Sequence, residues 1–126
     1  MDPNLGTTTQ RIPHEAFSME KLQVNVGLVI YTPGDQPGTL DAVWRHQING
    51  SGTGRAIGGE GPRYAGTYEF TYYDGKGRKL VVNTLEITSE GDAFDLTLYK
   101  DGAIVTRGIG QLTSAGLIAG IRFLPD

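Results

Sequence analysis

The chain has 126 residues, enough for one domain around one core. Its net charge of −3 implies no general attraction to nucleic acid or to an anionic membrane, and no apolar run approaches the ~20 residues of a membrane-spanning helix. Cysteine is absent, which excludes disulfides, thiolate catalysis and cysteine-ligated metals.

Hydrophobic residues make up 38% and charged residues 20%, as in a folded chain rather than a disordered one. The 19 glycines are about twice the ~7% average usage. They stand between and within short apolar runs, where an all-β chain needs turns and bulges.

Residues 1–21 read as an N-terminal arm, and 22–126 as a single barrel domain. The first 19 residues are polar, with Pro3, Gly6 and Pro13. Pro13–Lys21 suits one or two helical turns, with Pro13 in the first turn. Phe17 and Met19 would then be free to close a barrel mouth as a lid; the alternative is a disordered leader. Met-Asp-Pro-Asn-Leu-Gly is not a basic stretch followed by an apolar one, so a secretory signal is not expected and the expected location is cytoplasmic.

Leu22–Tyr31 alternates Leu22, Val24, Val26, Leu28 and Ile30 against Gln23, Asn25, Gly27, Val29 and Tyr31, and predicts strand one. Thr32–Gly38 holds two prolines and two glycines and predicts a turn. Strand two is Thr39–His46, with Leu40, Ala42 and Trp44 on one face. Asn49-Gly50 is a hairpin signal. Strand three, Gly52–Ile57, puts Gly54 and Ala56 on one face and would leave space beside a bulkier neighbour.

Strand four, Gly66–Tyr73, is the clearest in the chain. Tyr68, Phe70 and Tyr72 point one way; Thr67, Glu69, Thr71 and Tyr73 point the other. Strand five runs from about Lys79 to Thr88. Strand six, Ala93–Tyr99, sets Phe94, Leu96 and Leu98 against Asp95, Thr97 and Tyr99. Asp101-Gly102 is the next hairpin turn, and strand seven is Ala103–Leu112. Strand eight, Leu117–Leu124, lines one face with Leu117, Ala119, Ile121 and Phe123.

Eight short strands with short connections predict an all-β meander, closed as a barrel or folded as a sandwich, and the expected form is an eight-stranded antiparallel up-and-down barrel. Closure removes the two edges that an open sheet would expose. The expected inward set is Ala42, Trp44, Gly54, Ala56, Tyr68, Phe70, Tyr72, Phe94, Leu96, Leu98, Leu117, Ala119, Ile121 and Phe123. The small residues of strand three, facing the aromatics of strand four, would leave a cavity or groove.

With its eight strands, Gly-Thr-Tyr at 66–68, and the Gly-x-Gly of strands three and seven, the chain resembles the small calycin-type barrels, avidin-like and lipocalin-like. It departs from both. The lipocalin Gly-x-Trp is absent, since the only tryptophan is Trp44, and the tryptophan set that holds biotin is missing. The resemblance implies a barrel whose mouth admits an apolar small molecule, with no particular ligand.

No catalytic constellation stands out. His14 and His46 lie in different segments and are expected at the surface; His14-Glu15 is too small a cluster for a metal. Ser51 lacks the spacing of a nucleophile elbow or a phosphate loop. Gly75–Lys79 is a basic turn beside Tyr72 and Tyr73, but the acidic chain argues against nucleic acid. Glu69 is expected outward, as are Arg55, Arg107 and Arg122. Tyr68 and Tyr72 are expected inward, where each phenol needs a hydrogen-bond partner, a role that a ligand carbonyl can fill.

The expected site is therefore an interior pocket walled by Trp44, Ala56, Tyr68, Phe70, Tyr72, Phe94, Leu98 and Phe123. It would bind a hydrophobic or aromatic small molecule, with no metal and no cofactor. A small-barrel cyclase of natural-product type is the enzymatic alternative, by fold analogy. A protein-interaction module, its outer faces pairing with a partner or with a second copy as a homodimer, is the third.

Overall fold

The computed structural model describes residues 26–61 and 63–124. Eight antiparallel strands follow one another around a closed barrel: β1 (Val26–Pro33), β2 (Thr39–His46), β3 (Gly50–Ile57), β4 (Gly66–Asp74), β5 (Lys79–Glu90), β6 (Ala93–Lys100), β7 (Ala103–Thr113) and β8 (Gly116–Phe123). The ring closes where β1 pairs with β8, from Val26 opposite Arg122 to Tyr31 opposite Leu117. The expected lid residues Phe17 and Met19, the start of strand one and His14 lie outside the described residues. Among the described residues no helix is long and apolar enough to cross a membrane.

Strand alternation builds the core. Every residue of the expected inward set is buried except Phe123, which is half-buried and packs against the core. Strand one contributes Val29 and Tyr31, both fully buried, so its more uniformly aliphatic row, Val26, Leu28 and Ile30, faces out. The same parity in β5 buries Asn83, Leu85 and Ile87.

Strand one runs on to Pro33, opposite Leu40, where a turn is expected from Thr32. A proline at the last strand position costs the ladder at most one N–H, so pairing outlasts the local turn signal.

The expected hollow beside β3 is filled. A Cβ placed on Gly54 would run into the ring of Phe70, and one on Gly52 would lie 2.7 Å from the Trp44 indole. The small residues make room for aromatic rings rather than for a ligand. Phe70 meets Tyr31 edge-on at 5.9 Å between ring centroids and Tyr72 at 4.7 Å, and Tyr72 meets Trp44 at 6.0 Å. This aromatic file runs from the packed middle of the barrel to one end.

The Asp101-Gly102 turn takes left-handed dihedrals at both residues, φ 53° and φ 83°, as a two-residue hairpin turn between right-twisted strands requires. A Cβ on Gly102 would touch nothing, so the cost of Gly102→Ala comes from the backbone alone. We expect about 1 kcal/mol of destabilisation, read as a lowered denaturant midpoint at unchanged m-value. No change would show that the turn relaxes freely.

Candidate functional site

Each end of the barrel carries a concavity. At the end where β1 begins and β8 finishes, a cup of about 620 Å³ opens between the β2–β3, β4–β5 and β6–β7 turns. Its wall includes Trp44, Tyr72, Val81, Asn83, Thr106 and Phe123. At the opposite end a depression of about 600 Å³ lies among the Pro33–Thr39 turn, Gly59, Tyr64 and Tyr68.

Polar accounting separates the two. At the far end, the Tyr68 hydroxyl donates to the Tyr64 carbonyl at 2.8 Å, and Tyr64 packs edge-on against Phe94 at 6.3 Å. In the cup, the Tyr72 hydroxyl and the Asn83 Oδ1 are buried with no hydrogen-bond partner among the described residues. A buried polar atom left unpaired costs about 1–3 kcal/mol, so such atoms are uncommon and call for an explanation. Burial pushes the Tyr72 phenol well above its ordinary range, so it stays protonated and is a donor. Asn83 Oδ1 is an acceptor. Both atoms belong to residues that line the cup, whose wall also carries Asn49, Asp74, Lys100 and Thr106 beside its apolar side chains. The fully buried Tyr31 hydroxyl, outside the cup lining, is likewise without a partner among the described residues.

The wall is held firmly. The Trp44 indole N–H donates to the Thr53 carbonyl at 2.8 Å and to the Tyr73 carbonyl at 3.1 Å, which fixes the ring plane. The β4–β5 register shifts between Tyr72 and Tyr73, and the β6–β7 register between Leu98 and Tyr99. Both irregularities lie toward the cup end, and bulges of this kind gather at barrel rims and re-aim side chains there.

The basic turn beside the cup is tied down. The Asp74 carboxylate accepts from the Lys76 and Arg78 backbone amides at 2.8 and 2.9 Å and from Arg78 Nε at 2.8 Å. The Arg78 amide bond is the main cause holding this carboxyl below its usual range, with the Lys76 amide and the Arg78 guanidinium adding to it. Arg78 is thus paired within the turn.

His46, expected at the surface, is buried. It stacks on Phe123 at 4.5 Å and 14°. Its Nδ1 accepts from the Ile48 and Asn49 amides, both at 3.2 Å, and its Nε2 has no partner among the described residues. Desolvation lowers its pKa from the ordinary 6.5, and neutral imidazole with the proton on Nε2 follows from the two bonds that Nδ1 accepts. The folded pKa lies below the unfolded one, so the unfolded state binds the extra proton first. Stability should hold above the unfolded value and fall as pH drops below it. Denaturant melts at pH 7.5 and 5.5 test this: wild type should lose stability at pH 5.5, and His46→Gln should lose less. Equal stability at both pH values in wild type would contradict a buried neutral ring.

Among the expected site residues, the structure places Trp44, Tyr72 and Phe123 in the cup wall. Ala56, Phe70 and Leu98 are fully buried in the layer beneath. Tyr68 and Phe94 belong with Tyr64 toward the other end. The expected set is therefore spread along the barrel axis and not gathered around one hollow. Asn83 and Thr106 are buried polar residues that were not foreseen, although the parity of Leu85 and Ile87 carries Asn83 inward. Glu69, Arg107 and Arg122 face out as expected, and Arg55 pairs with Asp35 at 2.9 Å. Among the described residues no group of three His, Cys, Asp or Glu could hold a metal ion.

No family model matches the chain, and no curated protein and no solved structure matches it either.

Proposed function

We propose that the chain binds a small, mainly apolar molecule in the cup at the β1-start end. The observation that carries this is the pair of buried, unpartnered polar atoms, Tyr72 Oη and Asn83 Oδ1, on residues of a wall whose apolar part includes Trp44, Leu80, Val81, Val105 and Phe123 and whose rim is polar, with Asn49, Asp74 and Lys100. The volume of about 620 Å³ falls in the range of small-molecule sites, which are mostly apolar with a few placed polar groups. A ligand with a carbonyl to accept from Tyr72 and an O–H or N–H to donate to Asn83 would meet both needs. The barrel's coarse likeness to calycin-type proteins fits this reading.

The only tryptophan of the chain, Trp44, stands in the wall and is its own reporter. Native mass spectrometry of protein from its own host should show a retained small molecule, and titrating the stripped protein with that molecule should shift Trp44 emission. A protein with nothing bound, whose emission no apolar aromatic probe alters, would overturn the proposal.

A second reading rests on the Tyr72 hydroxyl. Held protonated, it would polarise a ligand carbonyl, and a cup that folds a flexible chain into a reactive conformer would act as a cyclase without a catalytic triad. Intramolecular cyclisation of this kind keeps the mass constant. Chromatography of the released ligand against the molecule supplied decides between retention and conversion.

A further inference from the structure

The outer surface of the barrel is uneven. Around β3 to β6 it carries Thr53, Glu69, Thr71, Glu86 and Asp95 with the separated aliphatics Ile57 and Val82 among them, whereas β2, β1, β8 and β7 set neighbouring aliphatic side chains outward beside Asp41, Arg45, Arg107 and Arg122. Val43 is 59% exposed, Leu28 46% and Ile109 71%, with Ile30 and Ile118 half-buried between them. The register sets these side by side: Val43 opposite Ile30, Ile30 opposite Ile118, Leu28 opposite Gly120, and Gly120 opposite Ile109.

Gly120 adds a second observation. A Cβ there would meet nothing within 4 Å, and its φ is not in the left-handed region. A glycine inside a strand costs about 0.5–1 kcal/mol relative to alanine, and nothing within the described residues explains it. It floors a shallow groove of about 500 Å³ between Ile109 and Val26. Glycines of this kind mark the close approach of another backbone.

The charges of β2 match themselves, although Asp41 also lies 3.8 Å from Arg55 of β3, and Arg107 and Arg122 flank the groove on β7 and β8. Along β2 the outward row reads Asp41, Val43, Arg45, opposite charges set evenly about an apolar centre. A two-fold axis crossing the strands at Val43, Ile30 and Ile118 would lay Arg45 of each copy against Asp41 of the other. It would put Ile118 on its own counterpart and Gly120 over Gly116. Self-complementarity of this sort is what an isologous interface requires. A standard interface buries ~800 Å² on each partner, with an apolar centre inside a polar rim, and this face has that arrangement, with Val43, Leu28, Ile30 and Ile118 lying between Asp41 and Arg45 on β2 and Arg122 on β8.

We propose that the β2–β1–β8 face, with Ile109 at its margin, receives a second copy of this chain, sheet on sheet, about that axis. This does not depend on the cup binding anything, and the cup's mouth remains at the barrel end.

Sedimentation of the full chain, up to about 0.1 mM, tests it, since interfaces of this size give dissociation constants of roughly micromolar or tighter. Wild type should be a dimer. Val43→Glu and Ile118→Glu should each be monomeric at unchanged far-ultraviolet dichroism. Asp41→Arg and Arg45→Asp should each weaken the dimer by about tenfold or more through like-charge contact, and the double swap should restore it. A wild-type monomer, or a dimer indifferent to Ile118→Glu, would overturn the proposal. Single swaps without effect, or a double swap without rescue, would overturn the axis.

Discussion

Replacing Phe70 with alanine is expected to cost about 3–5 kcal/mol, the range for a fully buried phenylalanine, and to lower Tm by roughly 10–20 °C in a domain of this size. Phe70 has no exposed surface. Its ring occupies the space over Gly54 and touches both Tyr31 and Tyr72. A double-mutant cycle separates this interlock from loss of apolar area. Gly54→Ala in wild type forces its Cβ into the ring and should destabilise by about 1–3 kcal/mol. In a Phe70→Leu background the same substitution has room and should cost much less. Additive effects would mean that the ring and the glycine are not coupled.

Tyr72→Phe is expected to move two observables in opposite directions. In the free protein the hydroxyl is buried and unpartnered, so its removal should raise stability by about 1 kcal/mol. With the recovered ligand, the lost donor should weaken binding by roughly tenfold, the worth of one well-placed hydrogen bond. A hydroxyl that merely packs in the core could give the first result but not the second. A lowered Tm together with unchanged affinity would mean that the hydroxyl has a structural partner and that the donor role in the cup is wrong.

The fold was legible because alternation of period two is a strong signal when one face of every strand is buried. Strand two matches its expected bounds, and strand four extends only to Asp74. Strand one was harder. Its two rows are both apolar enough to pass as the core row, and only pairing with β2 and β8 decides that Val29 and Tyr31 go in. The site was less legible for a related reason. Parity says which face a side chain takes, but not how deep along the barrel axis it lies. Tyr68, Phe70 and Tyr72 share one face and reach three different levels, and only the last is in the cup. His46 is expected at the surface once a metal cluster is set aside, yet it is buried. The two amides of the following turn that bond its Nδ1 are invisible to composition.

Closure through β1 and β8 has a consequence for how the chain reaches this state. Leu117–Arg122 of β8 can pair with Val26–Tyr31 of β1 only after all the strands between them have been made. Until β8 has been made, β1 and whichever strand is newest both keep unpaired ladder groups. Contacts so distant in sequence form slowly, so the nascent protein passes through a stage with two sticky margins that the finished ring no longer has.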